Sequence, residues 1–347
     1  KAIHLAVFRE ADVGTGRPPE RLLVHRAGGP RPARFRLVRA ERCRANPLLT
    51  PASHPSLGAN LNGPCLIRVP DWVKNPLGRY YLYFAHHQGA AIRMAYADAV
   101  TGPYTVYAPG VLDLADTPFR HHIASPDVRV DPDTLKITLL YHGSGPTEPN
   151  PGGWAQSTVY AESEDGLRFV SDRVYLAESY MRTFFRDGWH IGFSGGVARR
   201  LRRSRTRRGP YEAGPVLEIE GEPFAPPAPG QMMDRMFRMR HVAFHVQGDT
   251  LRLYYSNVGD APERIKRTPV ALDGDWTGWR GGPVEEVVRP EKRHEGAALP
   301  IAPSAGGAAP GPVHELRDPF VFEEGGRVWL FYTVAGERGL ALAEIRS

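Results

Sequence analysis

A chain of 347 residues is too long for one small domain and suits either a single large all-β or barrel domain or two domains of ordinary size. Its 41% hydrophobic, 10% aromatic and 24% charged residues exclude wholesale disorder. No apolar run approaches the ~18 residues a bilayer crossing needs, and two cysteines are too few for a disulfide-stapled scaffold or a Cys-rich zinc domain.

The net charge of +6 invites a nucleic-acid reading, yet only five of the 44 basic residues are Lys. The arginines gather between Arg31 and Arg44 and between Arg199 and Arg208. With so much Ala, Gly and Pro around them, they read as a solvated face. Neither nucleic acid nor membrane is an expected partner, and oligomeric state is not legible. Nor is the compartment: no signal-peptide pattern follows Lys1, which leaves secretion after cleavage and the cytoplasm both open. The spacing of Cys43 and Cys65 does not decide whether they pair.

In chain order, residues 1–55 precede any repeat and are expected to pack on or close the fold. Residues 56–347 form the expected catalytic domain. Five segments there share a Tyr/Phe-rich strand pattern: Arg79–Phe84, Lys136–Tyr141, Gly188–Phe193, Thr250–Tyr255 and Arg327–Tyr332. Each runs into a polar or glycine-containing break. A further strand follows, clearest at Ile92–Ala97, Ser157–Ala161 and Gly339–Glu344. A glycine-then-aromatic start marks an outer strand at Gly102–Tyr107, Gly166–Val170 and Gly209–Glu212. Five copies in one register predict an all-β fold, a five-bladed β-propeller of four-stranded blades.

In a propeller the first strand of each blade lines the axis. Counting ten residues back from the second strand gives Asp127 before Ile137, His241 before Leu251 and Asp318 before Val328. Asn62 and Arg182 are the counterparts in blades one and three. These five residues are expected to ring one axial pocket.

The five-unit pattern, with Ser125-Pro126-Asp127, Arg317-Asp318-Pro319 and the run from Tyr80 to His87, resembles the five-bladed propeller glycoside hydrolases. These include the arabinanases, β-xylosidases, fructan hydrolases and neoagarobiose hydrolases. The resemblance spans residues 60 to 347 and implies a glycosidase acting on an oligosaccharide or polysaccharide. In the arabinanase type, blade one supplies an Asp base, blade two an Asp that tunes pKa and blade three a Glu acid. Here blade one reads Asn62-Gly63-Pro64. Blade three has Glu178 close to its start but Arg182 at the axial offset, so that triad does not carry over.

The loop leading into the last blade offers Glu295 in its place. The expected catalytic carboxyls are therefore Asp127, Asp318 and Glu295, in an exo-acting, inverting hydrolase. His241 or His314 is an alternative acid. Asn62, His86, His87, Arg182, His241, His314 and Arg317 are the expected substrate contacts.

Two other readings stay open: a glycoside phosphorylase whose phosphate is held by Arg182, Arg317 and His241, and a non-catalytic glycan-binding propeller. No cofactor and no metal site are expected. There is no His-x-x-x-His on a helix and no CxxC, and the adjacent pairs His86-His87 and His121-His122 diverge on a strand. An axial ion held by water and one or two histidines stays open. Phe193-Ser194-Gly195-Gly196 lacks the spacing of a nucleophile elbow.

Overall fold

The computed structural model describes residues 38–194, 199–222 and 239–346. Residues 1–37, most of the N-terminal segment, lie outside the described residues, as do Gly195 and Gly196. Among the described residues, twenty strands form five four-stranded antiparallel sheets, the blades of a propeller. Blade one is β2 (Asn62–Arg68), β3 (Tyr80–Ala85), β4 (Ala91–Ala97) and β5 (Thr105–Asp113). Blade two is β6 (Phe119–Asp131), β7 (Lys136–Pro146), β8 (Gln156–Ser163) and β9 (Val170–Glu178). Blade three comprises β10 (Arg182–Arg186), β11 (Trp189–Ser194), β12 (Arg200–Ser204) and β13 (Glu212–Val216). Blade four comprises β14 (Met239–Gln247), β15 (Thr250–Asn257), β16 (Ile265–Ala271) and β17 (Glu285–Val288).

Blade five uses β18 (Leu316–Glu324), β19 (Arg327–Val334) and β20 (Leu340–Arg346), and takes its outer strand from β1 (Arg39–Arg42). Residues near the start of the described chain thus complete the last sheet, with Arg39 opposite Arg346 and Arg42 opposite Ala343. This pairing satisfies an edge that would otherwise be open.

The aromatic segments are the second strands. All six residues of β3 are buried because they are packed on both faces between neighbouring blades, which is why they read as an unbroken apolar run. Tyr83 donates from its hydroxyl to the Gly166 carbonyl at 2.9 Å, joining blade one to blade two. A Cβ on Gly166 would lie 2.5 Å from that hydroxyl, and the residue has φ +78°. The glycine-then-aromatic repeat therefore has a steric cause as well as a conformational one.

First strands of successive blades pack side by side, β2 against β6, β10 against β14, β14 against β18 and β18 against β2. Four of them carry a bulge at one level, between Asn62 and Cys65, Ala124 and Asp127, Met239 and Val242, and Arg317 and Phe320. Bulges re-aim side chains, and these four aim theirs at the axis.

The basic stretch from Arg199 to Arg208 is not a solvated face. Arg202 and Arg207 are buried: Arg202 bonds Ser194 at 2.9 Å, and Arg207 reaches Asp127 at 2.8 Å. Arg203 lies between the rings of Trp189 and Trp276. Only part of the stretch, including Arg205 and Arg208, faces water. Arg202 lies within β12 and Arg207 in the turn after it, and their partners, Glu178 and Asp127, belong to blade two. Cys43 and Cys65 are both free thiols. Burial pushes the Cys65 thiol up to about 11.

Candidate active site

Above the bulges lies a cavity of about 280 Å³. Among the described residues its wall includes Asn62 and His87 from blade one, His122, Ser125 and His142 from blade two, and Arg240 and His241 from blade four. Trp154, Glu178, Tyr180 and the Gly306-Gly307 backbone complete the part used below.

Imidazoles dominate this wall. Tyr180 bridges two of them, with ring centroids 4.0 Å from His241 and 4.8 Å from His142, and His142 meets His122 edge-on at 5.8 Å. Burial holds His122 down at about 4, and His87 and His121 add to the effect. Burial also keeps His142 well below the ordinary imidazole range and pushes the Tyr180 phenol up to about 12. At neutral pH His122, His142 and Tyr180 are therefore uncharged, and the wall is still rich in hydrogen-bonding atoms. Two such atoms, Asn62 Oδ1 and His142 Nδ1, are buried with no hydrogen-bond partner. An unfilled polar atom in a cavity wall is what a hydroxylated ligand satisfies.

His241 is held from both sides. Its Nδ1 meets Asp318 Oδ1, and its Nε2 lies 3.0 Å from Ser125 Oγ. Burial lowers the His241 pKa by more than Asp318 raises it. Burial alone would raise Asp318, but His241, Arg240 and Arg317 outweigh it and hold the carboxyl far below the usual range. The pair is therefore a neutral imidazole against a carboxylate at neutral pH.

Around the cavity runs a chain of buried charges. Arg240 forms a two-pronged pair with Glu263 at 2.8 and 3.0 Å, and Arg317 lies 3.7 Å from the same carboxylate. Arg317 reaches Glu337 at 3.3 Å, and Glu337 accepts from His87 Nδ1 at 3.0 Å. Arg240 and Arg317 both donate to the Gly307 carbonyl, which pins the loop that lines the pocket. On the facing wall Arg202 holds Glu178 at 2.5 Å.

Of the residues expected at the site, Asn62, His87 and His241 line the cavity, and Asp318 stands directly behind His241. The others lie elsewhere. Asp127 is fully buried two residues beyond Ser125, paired with Arg207 at 2.8 Å and Arg129 at 3.1 Å and accepting from Thr183 N–H at 3.0 Å. Burial would raise its pKa, but the arginines outweigh burial and hold it low. Arg182 is axial as expected, yet its guanidinium is spent on backbone, donating to the carbonyls of Pro64, Val242 and Pro319.

Glu295 is buried against Arg42 at 2.7 Å, the Tyr332 hydroxyl and the backbone N–H groups of Glu291 and Lys292. His314 bonds the Leu299 carbonyl at 3.0 Å, and His86 the carbonyl of His87 at 2.6 Å. Arg317 serves the charge chain.

The count of ten residues slipped in blade two. Its first hairpin closes at Asp131 opposite Lys136 around four loop residues. Blades four and five close around two, at Gln247 opposite Thr250 and Glu324 opposite Arg327. Two extra loop residues move the axial position from Asp127 back to Ser125. The sequence held a better marker, the X-Pro step. Gly63-Pro64, Ser125-Pro126 and Asp318-Pro319 share the bulge, and their first residues have φ +59°, +51° and +52°. Tyr180, Arg240, Glu263, Glu337, His122 and His142 were also missed; being aromatic or charged does not reveal which way a loop or bulge turns.

No family model matches the chain. Solved structures share its fold. A glycosyl hydrolase from Bacteroides ovatus superposes with a TM-score of 0.61 at 10% identity, over 89% of this chain and 94% of that one. The GH43_1 enzyme from Xanthomonas citri complexed with xylose gives 0.54 at 15% identity, over 86% and 88%. CoXyl43, a GH43 β-xylosidase/α-arabinofuranosidase from a compost microbial metagenome in complex with xylotriose, gives 0.54 at 14%, over 88% and 94%. At these identities the likeness is one of fold, the five-bladed propeller. In sequence the chain is 36% identical over 307 residues to the uncharacterized protein R118 of Acanthamoeba polyphaga mimivirus, covering 82% of this chain and 83% of the viral one. With that identity over that much of both proteins, the chain belongs to the same family as the mimivirus protein.

Proposed function

We propose that the protein is a glycoside hydrolase, exo-acting and inverting, that removes a terminal sugar in the axial pocket. The observation that carries this reading is the pocket itself: a histidine-rich cavity at the axis of a glycosidase-type propeller, with Glu178 on one wall and His241, backed by Asp318, on another. A cavity of about 280 Å³ is near the lower end of small-molecule sites and takes one or two sugar rings rather than a polymer groove. Trp154 and Tyr180 offer ring faces, and Asn62, His87, His122 and His142 offer partners for sugar hydroxyls.

The chemistry needs a proton-transfer group and a negative charge near the anomeric carbon. In this reading water attacks the anomeric carbon and gives a proton to His241 Nε2, Asp318 stabilises the imidazolium, and the glycosidic bond breaks as the leaving oxygen takes a proton from solvent. The Glu178 carboxylate faces the positive charge that develops on the sugar. Asp318 keeps its expected place in the chemistry, whereas Asp127 and Glu295 anchor arginines of the fold.

Because two of the structural neighbours hold xylose and xylotriose, pentose oligosaccharides are the first substrates to test. A panel of nitrophenyl glycosides and xylo- and arabino-oligosaccharides, with product anomers followed by NMR, checks the reading. Release of one terminal sugar with inversion, lost in His241→Asn and Glu178→Gln, supports it. No sugar release across the panel, or release unchanged in His241→Asn, overturns it.

A further inference from the structure

We propose that Ser125, His241 and Asp318 form a nucleophilic relay that cleaves carboxylic esters, specifically acyl groups carried on a sugar hydroxyl, in the axial pocket. The three residues come from blades two, four and five, so no local motif announces them.

The geometry has the polarity that acyl transfer requires. Asp318 is a carboxylate and only accepts, so the proton of His241 sits on Nδ1, facing Asp318 Oδ1. The lone pair of Nε2 then faces the Ser125 hydroxyl 3.0 Å away. Asp318 is fixed in turn by the Gly63 N–H and the Thr333 hydroxyl, each at 3.4 Å. Ser125 and His241 both stand on the cavity wall.

Ser125 also has φ +51°, a region that a non-glycine residue enters only when its surroundings impose it. A Cβ on Gly63 would lie 2.9 Å from Ser125 Cα, so the blade-one bulge presses on the serine and only glycine fits there. Strain of this kind is a structural cost, and here it aims a hydroxyl at an unprotonated imidazole in a ligand-sized cavity. Asn62, next to that glycine, stands on the same wall.

The reaction balances with water alone. Ser125 Oγ attacks the ester carbonyl carbon as its proton passes to His241 Nε2. The bond from that carbon to the sugar oxygen breaks, and the sugar hydroxyl leaves with the proton from Nε2. Water then attacks the acyl-serine, giving a proton to Nε2. The carboxylic acid departs as Ser125 Oγ recovers that proton.

The test uses the whole chain with a fluorophosphonate probe, p-nitrophenyl acetate and an acetylated xylo-oligosaccharide. One phosphonyl adduct per chain, mapped to Ser125 by peptide mass, is expected. Both Ser125→Ala and Ser125→Gly are expected to lower ester turnover at least ~10³-fold. Glycine adopts φ +51° without strain, so Ser125→Gly keeps the fold while removing the nucleophile. Absence of the Ser125 adduct on the folded wild-type chain overturns the proposal, and so does ester cleavage by Ser125→Gly at the wild-type rate. Neither measurement involves a glycosidic bond. A chain that releases no sugar can still pass this test, and one that fails it can still be a glycosidase.

Discussion

The axis of the propeller has two halves built from the same inner strands, and they solve burial in opposite ways. In the half near Asp127 and Arg182, full charges are packed together: Asp127 with Arg129 and Arg207, and Arg182 with three backbone carbonyls. In the pocket half, two residues back along β6, the wall carries imidazoles that burial keeps neutral, around space a ligand can fill. The closed half uses its charge for cohesion. The open half keeps polar atoms unspent. A buried carboxylate near a propeller axis is thus not by itself a catalytic one; what separates Asp318 from Asp127 is that the first backs a histidine on the pocket wall and the second faces arginines.

This contrast can be broken by mutation. The largest expected effect is on turnover: His241→Asn should lower sugar release by ~10²–10⁴ while leaving the melting temperature within a few degrees of wild type. A melting temperature that falls with the rate would place His241 in the cohesive half. Next in size, Asp127→Asn should destabilise the fold by about 3–5 kcal/mol in urea, because two arginines would lose their buried counter-charge. A catalytic defect in a fully stable Asp127→Asn protein would reverse the assignment of the two halves.

The third effect is a loss of stability in acid. His122, His142 and His241 all have folded pKa values below the unfolded 6.5, so protonation favours the unfolded chain. Their contribution is complete above about pH 6.5 and declines as pH falls toward 4, with His122 alone responsible for about 3 kcal/mol. Urea midpoints measured at pH 7, 5.5 and 4.5 should fall in that order, and midpoints flat across the window would mean that the folded imidazoles titrate like unfolded ones. The smallest effect sharpens the same point within one tetrad. Arg208→Gln removes an exposed pair with Asp172 and should cost under about 1 kcal/mol, whereas neighbouring Arg207→Gln takes one of its two arginines from buried Asp127 and should cost more.

The five-bladed architecture was legible in the chain, because aromatic second strands recur five times in one register and because Gly166 precedes an outer strand where the Tyr83 hydroxyl leaves no room for a Cβ. The sequence also placed His241 and Asp318 within the bulges of their first strands, since a two-residue hairpin loop in both blades keeps the count from the second strand right to within one residue. Tertiary structure decided the rest. A hairpin two residues longer in blade two exchanged Asp127 for Ser125 at the pocket. Contacts with blade two, Glu178 for Arg202 and Asp127 for Arg207, buried arginines that read as a solvated face. The β1 strand became part of a sheet whose other strands lie nearly three hundred residues away. Spacing along a chain reports which residues share a level of the propeller. Which of them spend their charge on neighbours and which keep it for a ligand depends on contacts between blades, and those exist only once the ring has closed.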